Sequence, residues 1–230
     1  MRRHAESNRA RILAVARREL ANDPDVSLEE IAKVAGVARR TLYGHFAGRS
    51  ALTEALANEA AEAVSKALAG IPPEPGPPDA ALAHFALATW PVADRYRMLL
   101  ALARRDLGNA RISEIIEPAT RYAETVLQKG QDAGVFHDEL PAPVLNAALA
   151  AFTFSLMESG NEGAWVPDPA TAAISVLAAA GITPDRASQL VRQALAAASA
   201  RRLPAERTFL PPQDGPVSFH RPPFRPSRSP

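Results

Sequence analysis

The sequence predicts an all-α protein, with a small N-terminal three-helix unit ahead of a larger helical body. Three observations carry this. Apolar residues recur three and four positions apart along most of the chain, which is the spacing that lines one face of an α-helix. Proline and glycine fall between these periodic stretches, where they start and stop helices. No run alternates apolar and polar for long enough to read as a strand.

The elements follow in order. Ile12, Leu13, Ala16 and Leu20 share one face of a first helix, which stops at Asn22-Asp23-Pro24. Ser27-Leu28-Glu29-Glu30 has the form of a capping box: the Ser27 hydroxyl accepts from the Glu30 backbone, and the Glu30 carboxylate reaches back. Ile31, Ala32 and Ala35 then face inward until Gly36 ends that second helix. A third short helix is predicted from Ala38 to Phe46, and a fourth from near Gly48 through Leu52, Leu56, Ala60, Val64 and Leu68. The five prolines between Ile71 and Pro78 place a loop there. Further helices are predicted over 79–90, 92–107, 109–133, 142–159, 169–181 and 184–202. Asp168-Pro169 and Thr183-Pro184 are cap-plus-first-turn signals, and Gly134 and Gly181 are stops. Residues 203–230, rich in Pro and Arg, carry no core pattern and are expected to be mostly disordered.

Composition narrows the function. The chain of 230 residues is 47% apolar and has no cysteine. That excludes disulfides, thiolate zinc sites and a cysteine nucleophile, and it suits a reducing cytoplasm. The N-terminus leads into no signal-type apolar stretch, and no run reaches the roughly 18–20 apolar residues of a membrane span, so no membrane partner is expected. The net charge of +1 is unevenly spread. Residues 1–50 hold ten Arg or Lys against six Asp or Glu, residues 51–200 ten against seventeen, and residues 201–230 six against two. A basic head and tail around an acidic body suggest a polyanion at the ends of the chain.

Two short helices joined by a tight glycine turn, here Ala35-Gly36-Val37, have the geometry of a helix-turn-helix. At about 100° per residue, Leu42 and Phe46 fall on one side of the third helix, with Arg40 and Gly44 nearly opposite Leu42. Thr41 and Tyr43 flank that strip, which is small, polar and cationic, as a major-groove reader requires. Arg39 and Arg40 can donate paired bonds to guanine O6 and N7 or to phosphate. Thr41 and Tyr43 can touch thymine methyls or phosphate oxygens, and Gly44 lets the helix backbone approach the bases. Arg40 is the candidate for base specificity; Tyr43, His45 and Arg49 are the candidates for positioning on the duplex backbone.

The stretch Val26–Arg49 resembles the TetR family of repressors. Ile31-Ala32 ahead of Ala35-Gly36-Val37, then Thr41-Leu42-Tyr43-Gly44-His45-Phe46, then the basic Arg49, match that family's pattern. The resemblance covers roughly residues 8–56. It departs at Ala38, where relatives often have a Ser or Thr cap, and at Arg40, where a small residue or proline is common. It implies a homodimer, a palindromic double-stranded DNA operator, and a small-molecule effector that releases the protein from DNA. It also implies a division into a DNA-binding domain (1–50), a helical ligand-binding and dimerisation domain (51–202) and the Pro/Arg-rich tail (203–230).

On that implication a ligand cavity lies among the helices predicted between 79 and 159, with Phe85, Trp90, Tyr96, Tyr122 and Phe152 as candidate lining residues. Each of these also suits an ordinary core. The segments 142–159 and 184–200, rich in Ala, Leu and Val, suit close packing between two copies in a four-helix interface. The fourth helix, joining both domains, would carry the movement between ligand and DNA. The alternatives are an all-helical enzyme and a dimeric scaffold that does not bind DNA. No phosphate loop, serine-nucleophile motif or paired His ligand set supports an enzyme, and His137-Asp138-Glu139 is the one dense cluster of metal-ligand types. No metal and no cofactor is expected.

Overall fold

The computed structural model describes residues 2–161, 166 and 168–202, all α-helix, turn and loop, with no strand among them. The predicted tail, and Trp165, lie outside the described residues. Among the described residues eight helices run in order: α1 (Arg2–Asn22), α2 (Leu28–Val34), α3 (Arg39–His45), α4 (Arg49–Ala69), α5 (Pro78–Asp132), α6 (Ala142–Asn161), α7 (Pro169–Ala179) and α8 (Pro184–Arg202). None of the described helices is long and apolar enough to cross a membrane.

The helix ends obey local signals. After α2, α5 and α7 the chain reverses through Gly36, Gly134 and Gly181, at φ 61°, 64° and 103°, a region closed to most side chains. At each, the amide two positions beyond the cap bonds back to a helix carbonyl: Val37 N to Ala32 O (3.0 Å), Val135 N to Gly130 O (2.8 Å) and Ile182 N to Leu177 O (3.0 Å). These are Schellman closures, which satisfy carbonyls left over at a helix end. Asp168 caps α7 by accepting from Thr171 N at 2.8 Å.

The break expected at Pro91 does not occur. Helix α5 runs through both Pro91 and Pro118, and its one non-helical residue is Gly108 (φ 81°, ψ 165°). A proline inside a helix removes one backbone bond and crowds the preceding turn, at roughly 3 kcal/mol. The buried side chains either side, Trp90 against Met157 and Leu99 in the N-terminal core, hold the helix together across it.

Two main cores result. The first joins Ile12, Leu13, Ala16 and Leu20 of α1 to Ile31, Leu42, Phe46, Leu52 and Leu56, and is closed by Leu99 and Leu102 of α5. The second gathers Leu82, Leu127, Phe136, Leu145, Leu149, Leu177, Leu190 and Val191 from α5 to α8. Each fully buried leucine or isoleucine contributes about 1.5–3 kcal/mol. Helix α4 crosses the boundary expected at residues 50–51, and its first turns belong to the N-terminal core. At the far end, buried Asp79 accepts from Arg186 Nε and Nη2 at 2.9 and 2.8 Å, tying the start of α5 to α8.

Gly130 has no conformational peculiarity, yet its missing side chain is required. A Cβ there would overlap the ring of Phe136, which is buried. Gly130→Ala is expected to destabilise the protein by about 1–3 kcal/mol, read as a lower urea midpoint with unchanged slope. An unaltered midpoint would show that Phe136 can move aside freely.

Candidate functional site

The helix-turn-helix is assembled from its ends inward. Ser27 Oγ accepts from Glu30 N (3.2 Å) while Ser27 N donates to Glu30 Oε2 (3.1 Å), so the capping box closes as the sequence predicts. The Ser27 hydroxyl also donates to Glu30 Oε2 at 2.8 Å, and this bond, then the one from Ser27 N, holds the Glu30 carboxyl below its ordinary pKa. Helix α2 then ends in the Gly36 closure, which turns the chain directly into α3. Ala38 stands at the N-cap of α3 with extended backbone and no side-chain cap bond. The helix is held instead by burial of Leu42 (0% exposed) and Phe46 (2%).

That anchoring fixes what faces outward. Arg39, Arg40, Tyr43 and Gly44 are exposed; Thr41 and His45 are half-buried. Among the described residues Arg40 makes no hydrogen bond or ion pair, so its guanidinium is unengaged. Arg39 and Tyr43 are restrained by Glu29 on α2. Its Oε1 lies 2.7 Å from Arg39 Nη2 and accepts from Tyr43 Oη at 3.2 Å, with the Arg39 guanidinium 5.4 Å from the Tyr43 ring centre. The carboxylate therefore sits where a phosphate oxygen would compete for both groups.

Arg49 is expected from sequence to face the duplex backbone, but both of its terminal nitrogens donate within the protein. Nη1 donates to Val26 O (3.0 Å), Nη2 to Pro24 O, and Nε lies 3.6 Å from Asp106 Oδ2. Arg105, beside it on α5, pairs with Asp25 at 3.1 Å. These contacts staple the loop ahead of α2 to α5.

Behind the helix-turn-helix lies a cavity of about 190 Å³ between α4, α5 and α6. Its walls include Leu56, Ala60 and Val64 of α4, Tyr96, Leu102 and Ile112 of α5, and Phe154 of α6. Of the five aromatic candidates, Tyr96 lines it. Phe85 and Tyr122 stack on each other, 5.5 Å apart, against the C-terminal core. Trp90 is buried with Met157 and Ala172, and Phe152 is 37% exposed on α6.

Tyr96 also joins the cavity to α1. Its hydroxyl donates to Glu59 Oε1 at 2.8 Å, and the same carboxylate oxygen pairs with Arg17 of α1, whose guanidinium lies 5.9 Å from the Tyr96 ring centre. Burial, then the bond to Glu59, pushes the Tyr96 pKa up to about 12, so it remains a donor. Glu29, Arg17, Glu59 and Asp106 are not among the residues expected from sequence. The partners that place them in the site are 10 to 57 positions away, beyond the reach of any local pattern, although Asp106 also pairs with its neighbour Arg105. Elsewhere, His137 Nε2 lies 3.0 Å from Ala179 O, and no group of three metal-ligating side chains occurs among the described residues.

Residues 12–56 match the family model described as bacterial regulatory proteins, tetR family. No curated protein sequence matches the chain. Among solved structures, a bacterial regulatory protein in the tetR family from Rhodococcus RHA1 is 20% identical with a TM-score of 0.62, over 75% of this chain and 94% of that one. The TetR-like regulator LfrR from Mycobacterium smegmatis, in complex with proflavine, is 21% identical with a TM-score of 0.53, over 86% and 98%. SmeT, the repressor of the Stenotrophomonas maltophilia multidrug efflux pump SmeDEF, is 16% identical with a TM-score of 0.52, over 82% and 89%. At these identities the likeness establishes the fold.

The absent cap on α3 gives a direct test. Ala38 already has the extended backbone of an N-cap, so Ala38→Ser should add a bond to an orphan amide and stabilise the protein by about 1 kcal/mol, raising Tm by roughly 2–4 °C. A thermal melt with no rise would mean that those amides are already satisfied.

Proposed function

We propose that this chain, which carries a TetR-family helix-turn-helix domain over residues 12–56, is a cytoplasmic transcriptional repressor. It binds a palindromic DNA operator as a homodimer, and a small molecule in the α4–α5–α6 cavity releases it. It acts by binding and not as an enzyme. The observation that carries the DNA-binding reading is the orientation of α3. Leu42 and Phe46 are sealed in the core, which turns Arg39, Arg40, Tyr43 and Gly44 outward on one strip. Arg40, unengaged in the free protein, reads a guanine edge; Arg39 and Tyr43 leave Glu29 for phosphate or base. Thr41 and His45 flank the contact, and Arg49 acts from within by holding the loop ahead of α2.

Dimerisation is supported by the outer faces of α6 and α8. Val144, Phe152 and Leu195 are exposed to 51%, 37% and 41%, among exposed alanines including Ala147, Ala148, Ala151, Ala196 and Ala197. Paired with a second copy, these faces form a two-fold four-helix interface, and the two α3 helices enter successive major grooves roughly 34–36 Å apart.

Release is supported by the position of Tyr96. A ligand pressing on its ring displaces the hydroxyl from Glu59 and so loosens the pairing of α4 and α5 with Arg17 on α1. The ligand favours a dimer whose recognition helices no longer match the grooves. The complex of LfrR with proflavine and the repressor role of SmeT belong to proteins of this fold and agree with the reading.

Two results are expected. Selection from a random duplex pool should return two half-sites about one helical turn apart, and Arg40→Ala should lose about 1–3 kcal/mol, roughly 5- to 150-fold, with relaxed preference at one or two base pairs of each half-site. Uniform weakening across all sequences would instead make Arg40 a phosphate clamp, and absence of any duplex binding at low salt removes the reading altogether. Tyr96→Phe keeps the ring and deletes the donor. It should mimic the effector in part, lowering operator affinity in the absence of effector and so shrinking the ratio of operator affinities without and with effector, monitored by fluorescence anisotropy; an unchanged basal affinity and ratio would exclude the Tyr96–Glu59 route.

A further inference from the structure

The cavity wall carries few polar groups, and those few are occupied. Thr53 Oγ1 donates to Arg49 O or Asp106 Oδ2, at 3.1 and 3.2 Å, behind the wall. Thr89 Oγ1 donates to Phe85 O at 2.8 Å. Tyr96 Oη donates to Glu59 at 2.8 Å. Each hydroxyl has one proton, and each proton is already placed in an internal bond. The remaining polar wall residue, Arg97, bonds Asp94 O at 2.9 Å and pairs with the Asp94 carboxylate. Among the described residues the wall contains no Asp or Glu. Glu59 and Asp106 are nearby but are screened by Tyr96 and Thr53.

We propose that this cavity selects an uncharged, predominantly hydrocarbon molecule of about two fused rings. This rests on the reading of the cavity as the effector site and adds the chemistry of the effector. A cation entering it loses water and meets no carboxylate. An anion meets one guanidinium, whose charge the Asp94 carboxylate already offsets. Either charge therefore bears a desolvation penalty that the wall does not offset. A polar neutral molecule finds hydroxyl oxygens as acceptors and, as donor, the one guanidinium that already serves Asp94. A hydrocarbon loses nothing polar and gains contact with Leu56, Val64, Leu102, Ile112, Ile115 and Phe154. The volume points the same way: an apolar cavity of roughly 150 Å³ holds benzene, and about 190 Å³ is available here.

The test uses naphthalene, 1-naphthoate and 1-naphthylmethylammonium, which share one ring system and differ in charge. Binding to the full chain is measured by equilibrium dialysis and probe fluorescence. Naphthalene should bind one per chain, with both charged probes at least about 30-fold weaker. Ala60→Phe, filling the cavity from α4, should abolish naphthalene binding. Ile116→Trp, at the half-exposed edge of the wall, provides a second block should the first variant fold poorly. Equal or tighter binding of either charged probe overturns the proposal, as does no naphthalene binding or binding that survives a block in a folded variant. Operator affinity is measured in the same samples: naphthalene that binds without moving it refutes the effector reading and leaves the selectivity of the cavity intact.

Discussion

One rigid rod is packed into two places at once, and the molecule depends on this. Helix α4 contributes Leu52 and Leu56 to the core that supports the helix-turn-helix, and Ala60 and Val64 to the cavity. A helix is stiff over such a distance, so its two ends cannot be repositioned independently. The surrounding polar contacts have the same double allegiance. Glu59 holds Arg17 on one side and Tyr96 on the other. Arg111 reaches from beyond the α5 break to Glu54 and Asn58, at 2.8 and 2.7 Å. Half-exposed ion pairs of this kind add little stability individually. Their geometry matters more: they fix the angle at which α4 leaves the N-terminal core.

The recognition helix shows how packing and chemistry divide the work. It spans seven residues and lacks a side-chain cap, so its own hydrogen bonds do little to hold it. Two buried side chains, Leu42 and Phe46, orient it, and the preceding glycine closure fixes its direction. The polar strip is thus presented by a scaffold whose own side chains are buried. Glu29 adds a further layer, because it keeps two of the exposed groups pre-positioned and partly neutralised.

Legibility in the sequence tracks the range of each interaction. The Ser27 capping box and the stops at Gly36, Gly134 and Gly181 are readable because each is satisfied within six residues. The buried face of α3 is readable because helical period alone decides it. Pro91 misleads: propensity argues for a break, and packing of Trp90 and Leu99 overrides it. The direction of Arg49 is not readable, since a basic residue at the edge of a basic unit suits a phosphate as well as it suits the carbonyls of Pro24 and Val26. The cavity wall is nearly invisible. Aromatic residues at helical spacing look alike whether they fill a core, as Phe85 and Tyr122 do, or border a void, as Tyr96 does.

The break in α5 has a mechanical consequence. Asp106, which meets Arg49 and Thr53, and Arg105, which meets Asp25, lie immediately before Gly108. The stretch from Leu99 to Asp106 is bolted to the N-terminal unit; both ends of α5 lie in the C-terminal core, the start through Ala81 and Leu82 and the end through Val126 and Leu127. The one residue of α5 whose backbone has left the helix therefore sits at the seam between the two. Because residues on both sides of that joint share the C-terminal core, a torsional change there bends the stretch between Gly108 and Val126 while Leu99 and Leu102 keep their seats, as one corner of a closed frame flexes against the others.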